Sequence, residues 1–146
     1  MKCVFVTNIP APYREKVHEY VALNSQVDYE VLYCSELESN RDWEFSKGQY
    51  KFRYLTSNRI VFRGRDIYFL SNVWSQLQKS KPDVVVLAGF SLPMLASYFW
   101  CLFNRKKIIS FTDAHLRFEN RLTFLHKAMR TIFYQLSDAC VGASNK

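Results

Sequence analysis

Between Pro82 and Gly89 the chain runs Asp-Val-Val-Val-Leu-Ala, with five consecutive apolar residues from Val84 to Ala88. A strand with one wet face alternates polar and apolar residues. A strand with none must be covered on both faces, which is the situation of a central strand in a parallel α/β sheet. Parallel neighbours need crossover connections, so helical segments must stand between the strands. The sequence supplies them. "KCVFVTN" precedes "PYREKVHEYVAL", where Pro12 takes the first helical turn and Tyr13, Val17, Tyr20 and Val21 share one face.

The alternation continues. "DYEVLYCS" from Asp28 is a second strand, "ELESNRDWEFSKGQ" a long polar loop, and "YKFRYL" from Tyr50 a third strand. From Asp66, the residues Ile67, Leu70, Val73, Trp74 and Leu77 recur at helical spacing as far as "KSKPD", where Pro82 stops the helix. The apolar helix after the central strand has Ser91 as its N-cap and Pro93 near its first turn. "KKIISFTD" is a strand and "AHLRFE" a loop; Asn120 caps a helix striped by Leu122, Leu125, Met129, Ile132, Phe133 and Leu136. "DACVGAS" closes the series. The expected fold class is α/β, a doubly wound and mostly parallel sheet with helices on both faces.

At 146 residues the chain has the length of one domain with one sizeable core. The apolar run after Met1 and Lys2 is too short for a signal peptide, and Leu92–Phe103 falls short of the ~20 residues of a membrane span. Cys3, Cys34, Cys101 and Cys140 are far apart, without a C-x-x-C pair, so neither a zinc knuckle nor a dithiol motif is indicated and a reducing cytoplasm fits. Charge is uneven: residues 1–50 carry five basic and eight acidic side chains, residues 51–146 fifteen and five. The surplus comes from "RIVFRGR", "RKK", Arg117, Arg121, Lys127 and Arg130. Such a surface suits an anionic membrane, a phosphorylated ligand or nucleic acid, or simply solvates a basic face.

Ligands of such sheets gather at the carboxyl ends of the strands. Four segments lie there: "NIPAPYR", "CSELESNRDW", "GFSLP" and "FTDAHLRFE". Asn8 either binds a ligand or closes an Asx turn. Tyr13 and Arg14 stand at the helix start facing the crevice, where Arg14 suits a phosphate or carboxylate. Trp43 offers a stacking surface for a sugar ring or anchors its loop. Gly89 and Phe90 end the central strand, and a glycine there allows close backbone approach or a tight turn. Asp113 and His115 follow a strand two residues apart, within reach of a hydroxyl as acceptor or general base. No G-x-S-x-G elbow, H-E-x-x-H pair, P-loop or G-x-G-x-x-G occurs.

The segments "VFVTNIPAPYR", "YEVLYCSE" with "NRDW", "PDVVVLAGF" before an apolar helix, "KKIISFTDAH" and "LSDACVGAS" span nearly the whole chain. In combination they resemble the N-terminal half of a retaining GT-B-type glycosyltransferase of family 4, of the bacterial surface-polysaccharide group. The resemblance implies a Rossmann-like N-terminal acceptor-binding domain over residues 1–146, one half of a GT-B fold. A C-terminal domain would hold the nucleotide sugar through two glutamates seven residues apart; this sequence has no counterpart of that pair. The implied reaction moves a hexose from a UDP- or GDP-sugar to a saccharide or lipid-linked acceptor with retention. No cofactor and no metal are implied, since the nucleotide sugar is a substrate. His115, or Asp113, would contact the transferred sugar. Asn8, Tyr13, Arg14, Trp43, Gly89, Phe90 and Arg117 would line the acceptor side. Many relatives have glycines in the first turn, where this chain has "NIPAPYR", matching a subgroup that uses proline. The basic later part and the helix Leu92–Phe103 fit a peripheral enzyme on the cytoplasmic face of an anionic membrane. The competing reading is a non-catalytic basic module for nucleic acid or an acidic partner, although no nucleic-acid motif is present.

Overall fold

The computed structural model describes residues 1–37, 48–62, 65–69, 71–112 and 124–142. Six strands form one parallel sheet: β1 (Lys2–Thr7), β2 (Asp28–Tyr33), β3 (Lys51–Tyr54), β6 (Val84–Ala88), β7 (Lys107–Thr112) and β8 (Ala139–Gly142). Their order is β3-β2-β1-β6-β7-β8. The chain thus builds outward from β1 in one direction, returns, and builds outward from β6 in the other. β1 and β6 lie side by side at the centre, with Phe5 opposite Val86 and Thr7 opposite Ala88. The apolar run that demanded cover on both faces is accordingly almost fully buried, with Val85 at 0% exposure.

Right-handed crossovers put helices that follow leftward and rightward steps on opposite faces. Helix α1 (Pro12–Asn24) covers one face, over Phe5, Tyr29, Val31 and Tyr33. The other face is covered by α2 (Val73–Ser80) and α3 (Leu92–Phe103), with Phe133 of α4 (Phe124–Gln135) packed against the same core. There Val4, Val6, Leu32 and Leu87 of the sheet meet Leu77, Met94, Tyr98 and Cys101. A charged side chain is buried beside this core. Glu30 of β2 is 5% exposed and accepts from Arg53 Nε at 2.5 Å and Ser80 Oγ at 3.0 Å. Arg53 also donates to Ser80 Oγ at 2.7 Å and Gln76 Oε1 at 3.1 Å, so the network stitches β2 and β3 to α2.

Three expectations need correction. The helix expected from Asp66 is divided: β5 (Arg65–Phe69) pairs antiparallel with β4 (Asn58–Phe62), and α2 begins only at Val73. Ile67 and Leu70 match helical spacing, but "RIVF" and "DIYF" on either side of Arg63-Gly64 are also two β-rich runs joined by a short glycine-containing link. Tyr68 of β5 is 1% exposed in the core, and this tertiary contact favours the hairpin. The face of α1 carrying Tyr13, Val17 and Tyr20 points outward, and the helix instead buries Glu15 and His18. In α4, Phe133 packs on the core while Ile132 and Leu136 stay more than half exposed.

Candidate functional site

The strand order reverses between β1 and β6, whose connections leave toward opposite faces of the sheet. A crevice therefore opens beyond Thr7 and Ala88. Asn8 and Ser91 meet across it: Ser91 Oγ donates to Asn8 Oδ1 at 3.0 Å. The Asn8 carbonyl accepts from the Ser35 amide at 2.9 Å, so this residue joins the exits of β1 and β2 to the start of α3. Ser91 occupies the N-cap position of α3 but makes no side-chain capping bond; its hydroxyl serves the crevice instead. Gly89 has φ +124°, a conformation that side chains rarely adopt, and a Cβ there would meet no atom within 4 Å among the described residues. Torsion, not crowding by the described residues, requires the glycine.

The first turn is stiff and poor in donors. Ala11 takes the N-cap of α1 without a side-chain bond, and Pro12 has no N–H. The amides of Arg14 and Glu15 both turn back to the Ala11 carbonyl, at 2.8 and 3.2 Å. A phosphate cradle needs several N–H groups aimed outward at a positive helix end. This turn offers few, and the first-turn carboxylate of Glu15 opposes an anion. Positive charge comes from Arg14, whose Nη1 donates to Thr7 Oγ1 at 3.1 Å. Its guanidinium lies 5.2 Å from the ring centre of Phe111 on β7 and 5.5 Å from that of Tyr13.

Of the residues singled out in the sequence, Asn8, Arg14 and Gly89 come together at the crevice. Tyr13 is 61% exposed on the outer side of α1. Phe90 is engaged with α4: its ring is 5.6 Å from Tyr134 and 6.0 Å from Phe133, and the Arg130 guanidinium sits 4.9 Å above it. Leu87, Gly89, Phe90, Met94, Ser110 and Phe133 line a small depression there. Trp43, Asp113, His115 and Arg117 lie outside the described residues. β7, which pairs with β6, ends at Thr112, directly before Asp113 in the chain. Among the described residues no group of three His, Cys, Asp or Glu side chains could hold a metal.

The sequence reading missed a polar lattice under α1, at the same edge of the sheet. Tyr33 Oη donates to Glu15 Oε1 at 3.2 Å, Tyr50 Oη bonds the other carboxylate oxygen, and the two hydroxyls are 2.8 Å apart. One turn further along, His18 Nδ1 lies 2.7 Å from Tyr29 Oη, and its ring meets Phe5 edge-on at 4.8 Å. Burial raises the Glu15 carboxyl above its ordinary range, opposed by the two tyrosine hydrogen bonds. Burial, with help from the Arg14 charge, lowers His18 to about 4, so its ring is neutral at physiological pH. Burial also holds the Tyr29, Tyr33 and Tyr50 hydroxyls well above the ordinary phenol range, so they stay protonated. The available signal was the i, i+3 spacing of Glu15 and His18 opposite a helix face with nothing to pack on.

No protein-family model matches the sequence, and no curated protein matches it. Solved structures do. The UDP-GlcNAc 2-epimerase of Methanocaldococcus jannaschii superposes with a TM-score of 0.58 at 16% identity, covering 99% of this chain and 40% of that one. S. aureus MnaA, in a co-structure with UDP, gives 0.55 at 18% identity, covering 96% of this chain and 38% of its own. An isochorismatase-like hydrolase from Alkaliphilus metalliredigens gives 0.52 at 11%, covering 97% and 95%. The chain therefore spans about two fifths of the first two proteins. At these identities the likeness carries the fold alone, and the hydrolase illustrates how many chemistries share it. The fold is a Rossmann-like parallel α/β sheet of the kind found in GT-B-like enzymes.

Proposed function

We propose that this chain is the acceptor-side half of a GT-B-type retaining glycosyltransferase, moving a hexose from a UDP- or GDP-sugar to a saccharide or lipid-linked acceptor of a surface polysaccharide. The observation that carries this reading is the crevice between β1 and β6. Its first turn is proline-stiffened, with the Arg14 and Glu15 amides bonded to Ala11. Its floor presents the Asn8 amide, the Ser91 hydroxyl and the Arg14 guanidinium. The Asn8 amide and the Ser91 hydroxyl suit the hydroxyls of a saccharide, and a single guanidinium beside a turn with few outward amides is less than a diphosphate needs. A second domain would then grip the nucleotide and present the sugar across the cleft, with His115 or Asp113 beside the anomeric carbon. Arg117 and Trp43 are assigned to the acceptor wall.

A second reading has its own support. One of the structural neighbours is a UDP-GlcNAc 2-epimerase, and another was solved with UDP. In that case the same crevice would close over a UDP-sugar that is isomerised, not transferred. One assay separates the two. The full-length gene product is incubated with UDP- and GDP-hexoses, with and without lipid-linked acceptor. Acceptor-dependent release of nucleotide, with the donor's anomeric configuration kept in the product, is expected. Acceptor-independent interconversion of UDP-sugars would replace the first reading with the second. His115→Ala in that protein should lower turnover by about two to four orders of magnitude. An unchanged rate removes His115 from the site.

A further inference from the structure

A strand at the rim of a sheet shows a row of backbone N–H and C=O groups, and that row is a template for another strand unless the chain blunts it. In the main sheet both rims are blunted. β3 carries Lys51 and Arg53, both exposed, at alternate positions, and β8 is only four residues long. In the hairpin, β5 lies against α3, which leaves β4 as the outer strand. β4 has no such protection. Its five residues, Asn58–Phe62, are all exposed and include no proline, and β5 is its one strand partner among the described residues. Its single charged side chain is turned to the body: Arg59 Nε lies 3.3 Å from Asp66 Oδ1, and Nη1 donates to the Leu37 carbonyl at 2.6 Å.

The two faces of the hairpin differ. Arg59 stands opposite Tyr68, and Val61 opposite Asp66, on the face from which Tyr68 enters the core. Ile60 and Ile67 are cross-strand neighbours on the other face, 56 and 44% exposed. A two-stranded ribbon is marginal alone, and an apolar face of this kind is stabilised by further strands. A second copy of β4 supplies one. Laid antiparallel about a twofold axis at Ile60, the two copies oppose Ile60 to Ile60, Arg59 to Val61 and Asn58 to Phe62. All five residues overlap, and no like charges meet. Ile67 and Ile60 of one copy then continue into Ile60 and Ile67 of the next, a row of apolar neighbours across four strands. A second domain joined beyond β8 would be tethered at the far end of the strand order from β3 and its hairpin, which leaves β4 clear of that link.

We propose that β4 is a self-association edge, pairing antiparallel with β4 of a second copy to make a four-stranded sheet across a twofold axis. The inference does not depend on the sugar-transfer reading, because association is measured without turnover. The 146-residue chain is followed by sedimentation velocity over a series of concentrations, with amide hydrogen exchange in parallel. A dimer that grows with concentration is expected, with β4 amides gaining protection as it forms and β1 amides unchanged. Ile60→Lys sets two ammonium groups against each other at the axis and should weaken the dimer by on the order of tenfold or more. Its melting temperature should hold, because the side chain it replaces is already exposed. Ile60→Glu should behave in the same way. Mixed in equal amounts, the two variants should dimerise again, since each mixed pair sets a lysine against a glutamate. Tyr20→Ser on α1 and Phe103→Ser on α3 serve as comparisons and should dimerise as the parent does. The proposal is overturned if the chain stays monomeric at every concentration, if Ile60→Lys dimerises like the parent, if mixing restores nothing, or if either comparison variant loses the dimer. It is equally overturned if β4 amides are protected regardless of concentration, in this chain or in the full-length gene product, because the edge would then belong to another segment of the same molecule.

Discussion

Acidification should unfold this protein through His18, and the size of the effect can be worked out. The ring is 2% exposed and its proton affinity falls from the ordinary 6.5 to about 4. Because the folded value is the lower one, the unfolded chain takes up the proton first. The stabilisation is complete above about pH 6.5 and is lost as pH falls toward 4. At ~1.4 kcal/mol per tenfold change in acidity, the loss over that window comes to roughly 3 kcal/mol. Glu15 acts with the opposite sign: its folded value is raised, so the native state gains stability as pH falls toward the ordinary carboxylate range. The two must be separated by difference. Urea unfolding of the parent and of His18→Gln, at several pH values between about 7 and 4, supplies it. The glutamine loses the ring contact with Phe5 and so brings a constant offset. The gap between the two proteins should shrink by about 3 kcal/mol on acidification. A gap that stays constant with pH would refute the argument, as would an imidazole proton resonance titrating near 6.5 in the folded protein.

Two other substitutions test the frame around the crevice. Gly89→Ala should cost about 1–3 kcal/mol through backbone torsion alone, since the added methyl meets no described atom within 4 Å. A much larger loss in thermal unfolding would mean that the space is occupied. Glu30→Ala should cost about 1–3 kcal/mol by removing the carboxylate shared by Ser80 and the partly exposed Arg53, and Glu30→Gln distinctly less. Equal losses in denaturant titrations would show that the charge of Glu30 contributes nothing.

Most of the sheet was legible because burial on both faces writes itself as unbroken apolar runs, as in Val84–Ala88 and Cys3–Val6. The order of the strands was not, since register between distant parallel strands leaves no local mark. Asp66–Leu77 misled because a β-hairpin followed at once by a helix can mimic one period of a longer helix, and the deciding contact, Tyr68 in the core, is tertiary. The inner face of α1 misled for a different reason. The apolar residues alone suggested the buried face, whereas three tyrosines on β2 and the approach to β3 supply the hydrogen bonds that let Glu15 and His18 be buried instead. At the crevice, the positions of Asn8, Arg14 and Gly89 followed from strand ends alone. The bond from Ser91 to Asn8 links residues 83 positions apart and could only come from the fold.

The buried face of α1 also determines how firmly the crevice is held. Greasy contacts allow a helix to slide or roll by small amounts at little cost, because dispersion has no preferred direction. Hydrogen bonds do have one. Glu15 and His18, a turn apart and bonded to tyrosines of β2 and of the approach to β3, act like two keys in separate slots, fixing both the rotation and the axial position of α1. Arg14 is the residue next to Glu15, so its reach to Thr7 is set from beneath as well as by its own bond. This lip of the crevice is therefore held as a rigid jaw.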